Sequence, residues 1–491
     1  MLGAVFERFV EKSPISVMVR ATLERVLSAD RLDLWYERTA EKQYTRDLLF
    51  STVYDLMSQV VFCVQPSVRA AYLAHIADVG TSIVSVYNKL NGLETRTSAE
   101  LVRYSARAFA PLITQMDGVR APWLDGYRVK IVDGNCLAAS EHRLQALREA
   151  TGRALPGKSL VVYEPAHGLV TDVFPCEDGH AQERALLGSV LATVAADDLW
   201  IADRNFCTRA FLCEMDTRGG FFVIRQHQGL PFEILSPLQS YDRTPTGPIA
   251  QQRVCVVDEH GDKHVWRRLR LKLDHATRNG ATLLHILTNL PRQVSAKRVA
   301  QLYRNRWTLE TAFQHLEAYF HSEINTLGYP KAALFGFCLA LVAYNVLAVV
   351  LAALRSIHDE ETVEHEVSLY YIANEIATTY TGMMIAIPEP EWAVFYAMPT
   401  ADLAAILLDL AQRVRLTALR KSPKRPQKSC GKRPSPPKNG HVSTAKLLVN
   451  RKAQLATPSH GCPLCPRLEQ AQYPSVFARL PSDHHRVDCA L

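Results

Sequence analysis

From Ala332 to Leu354 the chain carries no charged side chain, and this run constrains the fold more than any other stretch. As a helix it would extend roughly 35 Å, enough to cross a bilayer or to run through the middle of a large domain. The run is rich in alanine, and Gly336, Tyr344 and Asn345 interrupt its apolar pattern. It follows a polar segment closely, after Gly328-Tyr329-Pro330. These features favour a buried core helix over a membrane span, because a helix enclosed by protein is apolar all round. The rest of the chain must then enclose it. With 491 residues, 48% of them apolar, it has the length for roughly two to four domains and a substantial core.

The stretch from Met1 to about Met116 has helical patterning and few turn signals, notably in Arg46–Val64, Ser67–Leu90 and Glu100–Met116. Tyr127 starts a change to strands. Tyr127-Arg128-Val129-Lys130-Ile131-Val132 runs into Asp133-Gly134-Asn135. An acid at the end of a buried strand is costly unless it is paired or binds a cation. Lys158–Tyr163 and Leu169–Phe174 predict a hairpin around Pro165-Ala166-His167-Gly168, and Ala181–Ala195 predicts a short helix. Leu199–Ala202 reads as a second apolar strand, ending at Asp203-Arg204-Asn205-Phe206; Asp197 and Asp198 read as a turn before it. Gly219–Arg225, Gln252–Val257, Trp266–Leu273 and Ala281–Leu287 continue the strand pattern. In the third of these, Arg267, Arg268, Arg270 and Lys272 can give either a DNA-facing sheet surface or an ordinary solvated one.

Ser295–Phe320 then predicts one helix with Ser295 as N-cap. At about 100° per residue, Tyr303, Arg306 and Glu310 fall within roughly 60° on one face. They present a phenol, a guanidinium that can clamp a phosphate and a carboxylate that can hold a divalent ion. Alone, the same pattern suits an exposed helix with solvated charges. The order strand-Asp, strand-Asp, helix-Glu raises the functional reading. Three carboxylates from separate elements can hold two divalent ions about 3.5–4 Å apart, which clamps both oxygens of an in-line phosphoryl transfer.

These residues resemble a DDE transposase of the insertion-sequence-four type. The resemblance rests on Val132-Asp133-Gly134-Asn135, Ile201-Ala202-Asp203-Arg204-Asn205-Phe206 and the Tyr303, Arg306, Glu310 spacing. The flanking Leu287-Thr288-Asn289-Leu290-Pro291 also fits, and the likeness extends from about Tyr127 to Leu354. It implies an α/β fold with an RNase H-like mixed sheet flanked by helices and interrupted by a β-rich insertion. It implies metal-dependent cleavage at transposon ends and strand transfer into target DNA. Asp133, Asp203 and Glu310 would be the catalytic metal ligands for two Mg²⁺ ions, replaceable by Mn²⁺. Tyr303, Arg304 and Arg306 would contact DNA. The family pattern also has a Lys seven residues after the Glu, where this chain has Glu317; Lys331 or His321 are the candidate substitutes. Two rival readings are a metal-dependent nuclease on the same core and a DNA-binding protein that has lost catalysis.

The expected division is 1–120 helical, 121–215 and 291–355 catalytic core, 216–290 insertion, 356–420 helical and 421–491 a disordered basic tail. From Arg420 to Lys452 basic residues mix with Pro and Ser, and acids are absent. Lys424 and Arg425 there are candidate phosphate contacts in a segment too polar to form a core. The net charge of +7 permits nucleic acid as partner, and the family resemblance implies double-stranded DNA bound by a homodimer. Eleven cysteines, an odd number in a chain of this size, suggest reduced thiols in a cytoplasmic setting, which the family resemblance narrows to a nucleoid-associated one. Cys462 and Cys465 have zinc-ligand character but match no standard finger spacing. Met1–Arg8 lacks signal-peptide features, and glycine-rich phosphate loops are absent, so neither export nor a nucleotide cofactor is expected.

Overall fold

The computed structural model describes residues 3–41, 47–138, 144–276, 280–421 and 440–456. Met1–Val449 forms one compact unit; of a second, Asn450–Leu491, only residues 450–456 are described, as the end of the helix Thr444–Ala456. Lys424, Arg425, Cys462 and Cys465 lie outside the described residues.

Ten strands among the described residues join in one sheet. They are β1 (Arg128–Leu137), β2 (Gly157–Glu164), β3 (Leu169–Cys176), β4 (Asp198–Ala202) and β5 (Phe221–Arg225), then β6 (Glu233–Ile234), β7 (Gln239–Thr244), β8 (Gly247–Val257), β9 (Lys263–Lys272) and β10 (Leu283–Thr288). Their order is β3-β2-β1-β4-β5-β10-β9-β8-β6, with β7 also on β8. β1, β4 and β5 are parallel, and the hairpins on either side pair antiparallel. The strands of 216–290 therefore extend the same sheet: β5 bonds to β4 on one side and to β10 on the other. Asn289 locks that join, donating to Asp216 Oδ1 (2.7 Å) and the Gly220 carbonyl while accepting from the Phe222 N–H.

Side-chain alternation divides the sheet into two faces. Ile131, Ile201, Val223, Leu269 and Ile286 join the larger core, which the helices cover. Val132, Trp200, Phe222, Trp266 and Leu287 join a smaller core on the other face, which includes residues of the helix Arg209–Thr217.

The principal helices are α1 (Pro14–Leu27), α2 (Phe50–Val61), α3 (Thr95–Gln115), α4 (Ala296–Arg304), α5 (Trp307–Tyr319), α6 (Pro330–Ile357), α7 (Leu369–Ala386) and α8 (Thr400–Arg413). The charge-free run is α6, and nearly all of it is buried against α1, α2, α3, α8 and β3. Its polar interruption has a partner: Asn345 Oδ1 accepts from the Val170 N–H (2.8 Å), and Nδ2 donates to the Val170 carbonyl (2.9 Å). The amide thus satisfies the backbone of edge strand β3.

Several sequence expectations need correction. The segment Ser295–Phe320 is two helices, with Asn305 and Arg306 forming a turn between α4 and α5. There the Thr308 and Leu309 N–H groups reach back only three residues, to Asn305 and Arg306. Ser295 does cap α4, accepting from the Arg298 N–H. Asp133 lies within β1, which continues to Leu137 because β2 pairs with it along that length. Asp198 is a fully buried strand residue, although Asp197, at φ 63°, does make the turn. Ala181–Ala195 holds a 3-10 turn, Glu183–Leu186, and a short helix, Leu187–Leu191. The tail is folded where its Pro-Lys run ends. His441–Ser443 pairs parallel with Arg153–Leu155, and Asp178 accepts from Ser443 (2.7 Å) and Lys446 (3.0 Å). A distant acid supplies the negative charge that this stretch lacks.

Candidate active site

Parallel register places the first two carboxylates. Ile131 lies opposite Ile201, and Ile201 opposite Val223. Two residues further along, the same row leads to Asp133, Asp203 and Arg225, all directed to the face that α4 and α5 cover. Asp203 follows β4 directly and caps the 3-10 turn Arg204–Phe206, its Oδ1 accepting from the Asn205 N–H at 2.5 Å.

Arg306, in the turn between α4 and α5, ties this row to the helices. Its Nη1 donates to Asp133 Oδ2 at 2.6 Å and its Nη2 to Glu310 Oε1 at 2.5 Å. The guanidinium is 9% exposed and Glu310 45% exposed, so the site opens to solvent on the Glu310 side. Arg306 Nε is buried and has no hydrogen-bond partner. The Tyr303 phenol lies close enough to Arg306 and Arg225 for both guanidinium charges to act on it.

The site carries excess negative charge. Burial pushes the Asp133 carboxyl up to about 6, and the charges of Asp203 and Glu310 push in the same direction. Arg306 and the Gly134 N–H oppose the shift and lose, although a carboxylate touching a guanidinium would ordinarily titrate low. Burial works against the Arg306 charge in turn, but Asp133, Tyr303 and Glu310 outweigh it and raise its pKa. Burial also raises the Tyr303 pKa, so the phenol remains a hydrogen-bond donor near neutral pH.

An all-oxygen donor set with unbalanced negative charge fits a hard divalent ion. Arg306 now provides the positive charge that such an ion would bring. It stands between Asp133 and Glu310, and among the described residues no three His, Cys, Asp or Glu side chains converge to hold a metal.

The structure thus brings Asp133, Arg306 and Glu310 into contact, with Asp203 and Tyr303 beside them. Arg304 is exposed on the last turn of α4. Glu317 is exposed on α5 and belongs to no cluster described for the site. Two residues were not foreseen. Arg225 was read only as part of a strand; parallel pairing with β4, invisible in the local pattern, places it in the row. Trp307, 62% exposed beside Arg306, had a signal in its position within the motif.

Of the alternating basic residues in β9, Arg267 is buried and donates to the carbonyls of Pro291 and Val294. Arg268 donates to Gln226 and covers Phe232, while Arg270 and Lys272 are exposed.

Residues 125–346 match the family model of the transposase DDE domain, and the matched span includes Asp133, Asp203 and Glu310. No curated protein matches the chain. Among solved structures, the piggyBac transposase synaptic complex with hairpin DNA is similar at 12% identity and a TM-score of 0.32. That similarity covers 79% of this chain and 76% of the other.

Proposed function

We propose that this protein is a DDE transposase of the insertion-sequence-four type, which cleaves DNA at transposon ends and transfers the strand into target DNA. The catalytic core would be RNase H-like, formed by 121–215 and 291–355, with 216–290 as an insertion that lengthens its sheet. The observation that carries the reading is Arg306, which joins the β1 carboxylate to the α5 carboxylate across 173 residues of chain. A guanidinium buried among excess carboxylates is poorly explained as a structural pair, since one acid would suffice to neutralise it.

Asp133, Asp203 and Glu310 would hold the divalent ions, Mg²⁺ or Mn²⁺, which supply polarisation of the phosphodiester and activation of the attacking hydroxyl. The chain's own groups account for binding and orientation. A phosphodiester oxygen at Arg306 competes with Asp133 and Glu310 for the same N–H donors and favours a bidentate contact. The Tyr303 phenol lies near the guanidinium, and Arg225 adds positive charge beside it. Trp307 offers an exposed aromatic face next to the phosphate-binding group. Exposed Arg304, Arg270 and Lys272, with Lys424 and Arg425 from the tail, would contact the DNA backbone nonspecifically. Joining two ends to one target calls for two active sites, so the acting form is proposed as a homodimer on double-stranded DNA.

A strand-transfer assay tests this reading. The full chain is incubated with Mg²⁺, plasmid target and DNA bearing the sequences that flank its gene on both sides. The reading predicts joined products and their loss with a chelator. Cleavage without joining would reduce it to a nuclease, and metal-independent DNA binding alone would overturn it.

A further inference from the structure

A second set of side chains lies behind the carboxylate row. Glu183 opens the 3-10 turn Glu183–Leu186, and its Oε2 accepts from Asn205 Nδ2 at 3.3 Å. Arg184 Nε donates to the Asn205 carbonyl at 3.1 Å. Asn205 is thus held at its side chain and its backbone by adjacent residues of one turn. Its N–H is the group that donates to Asp203 Oδ1. The other contact of Glu183 is with β1. A Cβ on Gly134 would lie 2.7 Å from Glu183 Cδ, so the carboxyl group fills the space left by the glycine next to Asp133. One acidic side chain therefore touches the residue after Asp133 and the residue two beyond Asp203.

We infer that Glu183 is a positioning residue: with Arg184 it clamps Asn205, and through the Asn205 N–H it sets the direction of the Asp203 carboxylate. This rests on the proposed role of Asp203 as a metal ligand. An exposed 3-10 turn ordinarily lets such a cap fluctuate, and a carboxylate free to rotate presents its oxygens to an ion only part of the time. Holding it by a neighbouring N–H removes that cost, as hydrogen bonds to metal-binding carboxylates do elsewhere. The clamp needs an acceptor at position 183 and no side chain at 134. It does not need a negative charge at 183, which separates it from a direct ligand.

Mn²⁺ binding to the full chain without DNA, read by the EPR signal of free Mn²⁺, tests this without requiring turnover. E183A should weaken Mn²⁺ binding roughly tenfold or more, the usual effect of losing a group that orients a ligand. G134A should do the same, because the new methyl displaces the flexible end of Glu183 while the strand stays in place. E183Q keeps an acceptor for Asn205 and should stay within about threefold of the native chain. D203A should lose most binding, and thermal midpoints should show all variants folded. Native-like Mn²⁺ binding by E183A, with D203A impaired, would overturn the clamp and leave the site intact. Equal losses in E183Q and E183A would overturn it too, showing that the charge at 183 is needed. Native-like binding by D203A, or none by the native chain, would instead sink the metal-site reading and the clamp with it.

Discussion

Strands β1 and β4 carry two charged clusters, and the two are built on opposite principles. At the N-terminal end Asp198 is fully buried, meeting Arg128 at 2.6 Å and Lys130 at 2.8 Å, with the Ala195 N–H as a third donor. One negative charge faces two positive ones. Toward the other end Asp133 and Glu310 share the Arg306 guanidinium, Asp203 and Arg225 lie in the same row, and Asp133 is driven up to about 6. The first cluster is complete as it stands. The second gains stability from any added positive charge. A buried acid is therefore not by itself the mark of a site; the mark is an acid whose local cations do not balance its neighbours.

The largest expected effect breaks the second cluster. On the proposed reading D133A, D203A and E310A should each lower Mg²⁺-dependent cleavage by at least about a thousandfold, since each removes a carboxylate that would hold a metal ion at the reacting phosphate. DNA binding, measured by fluorescence anisotropy without metal, should stay near native. E317A should retain most cleavage, because seven residues along one helix set its backbone about 10.5 Å from that of Glu310. If E317A is inactive and E310A active, the site moves two turns along α5 and the motif assignment fails.

The next effect breaks the first cluster. D198A leaves Lys130 buried with no carboxylate, which should cost about 3–5 kcal/mol in urea unfolding. D133N removes a carboxylate that its surroundings disfavour and should leave stability unchanged or raised. Equal destabilisation by the two would erase the distinction between the clusters.

That distinction also marks what the sequence could disclose. Patterns of short range were legible: the charge-free run became α6, the alternating runs became strands, and Ser295 caps its helix. The acids of the candidate site, Asp133, Asp203 and Glu310, stood out through their order along the chain. Asp198 was not, because its cations lie 68 and 70 residues away and only the β1–β4 pairing brings them together. Local context showed two adjacent acids before a strand, which suits a turn. Arg225 was hidden for the same reason. The break at Asn305-Arg306 was hidden because neither residue stops a helix; helical periodicity continues on both sides. The continuous sheet was also out of reach, since alternation identifies strands but not their neighbours.

The smallest effect concerns a carboxylate that belongs to neither cluster. Glu375 on α7 is turned to the start of α1, where its Oε1 accepts from the Ser16 N–H at 3.3 Å. Burial pushes its pKa from the ordinary 4.5 to about 7, against the pull of the Ser16 and Ile15 N–H groups. The folded state therefore keeps its proton to higher pH than the unfolded chain. Between about pH 4.5 and 7 folding takes up a proton at this position, so stability falls as pH rises through that window. Above it the cost of the buried charge is fully present, on the order of 1–3 kcal/mol. E375Q keeps an acceptor for Ser16 and carries no charge. It should match the native chain at pH 4.5 and exceed its unfolding free energy at pH 8 by about that amount. A gain of equal size at both pH values would mean the substitution acts through packing. A loss at pH 8 would mean that the N–H groups of α1 stabilise the charge after all, placing Glu375 with Asp198 among the acids the fold has already balanced.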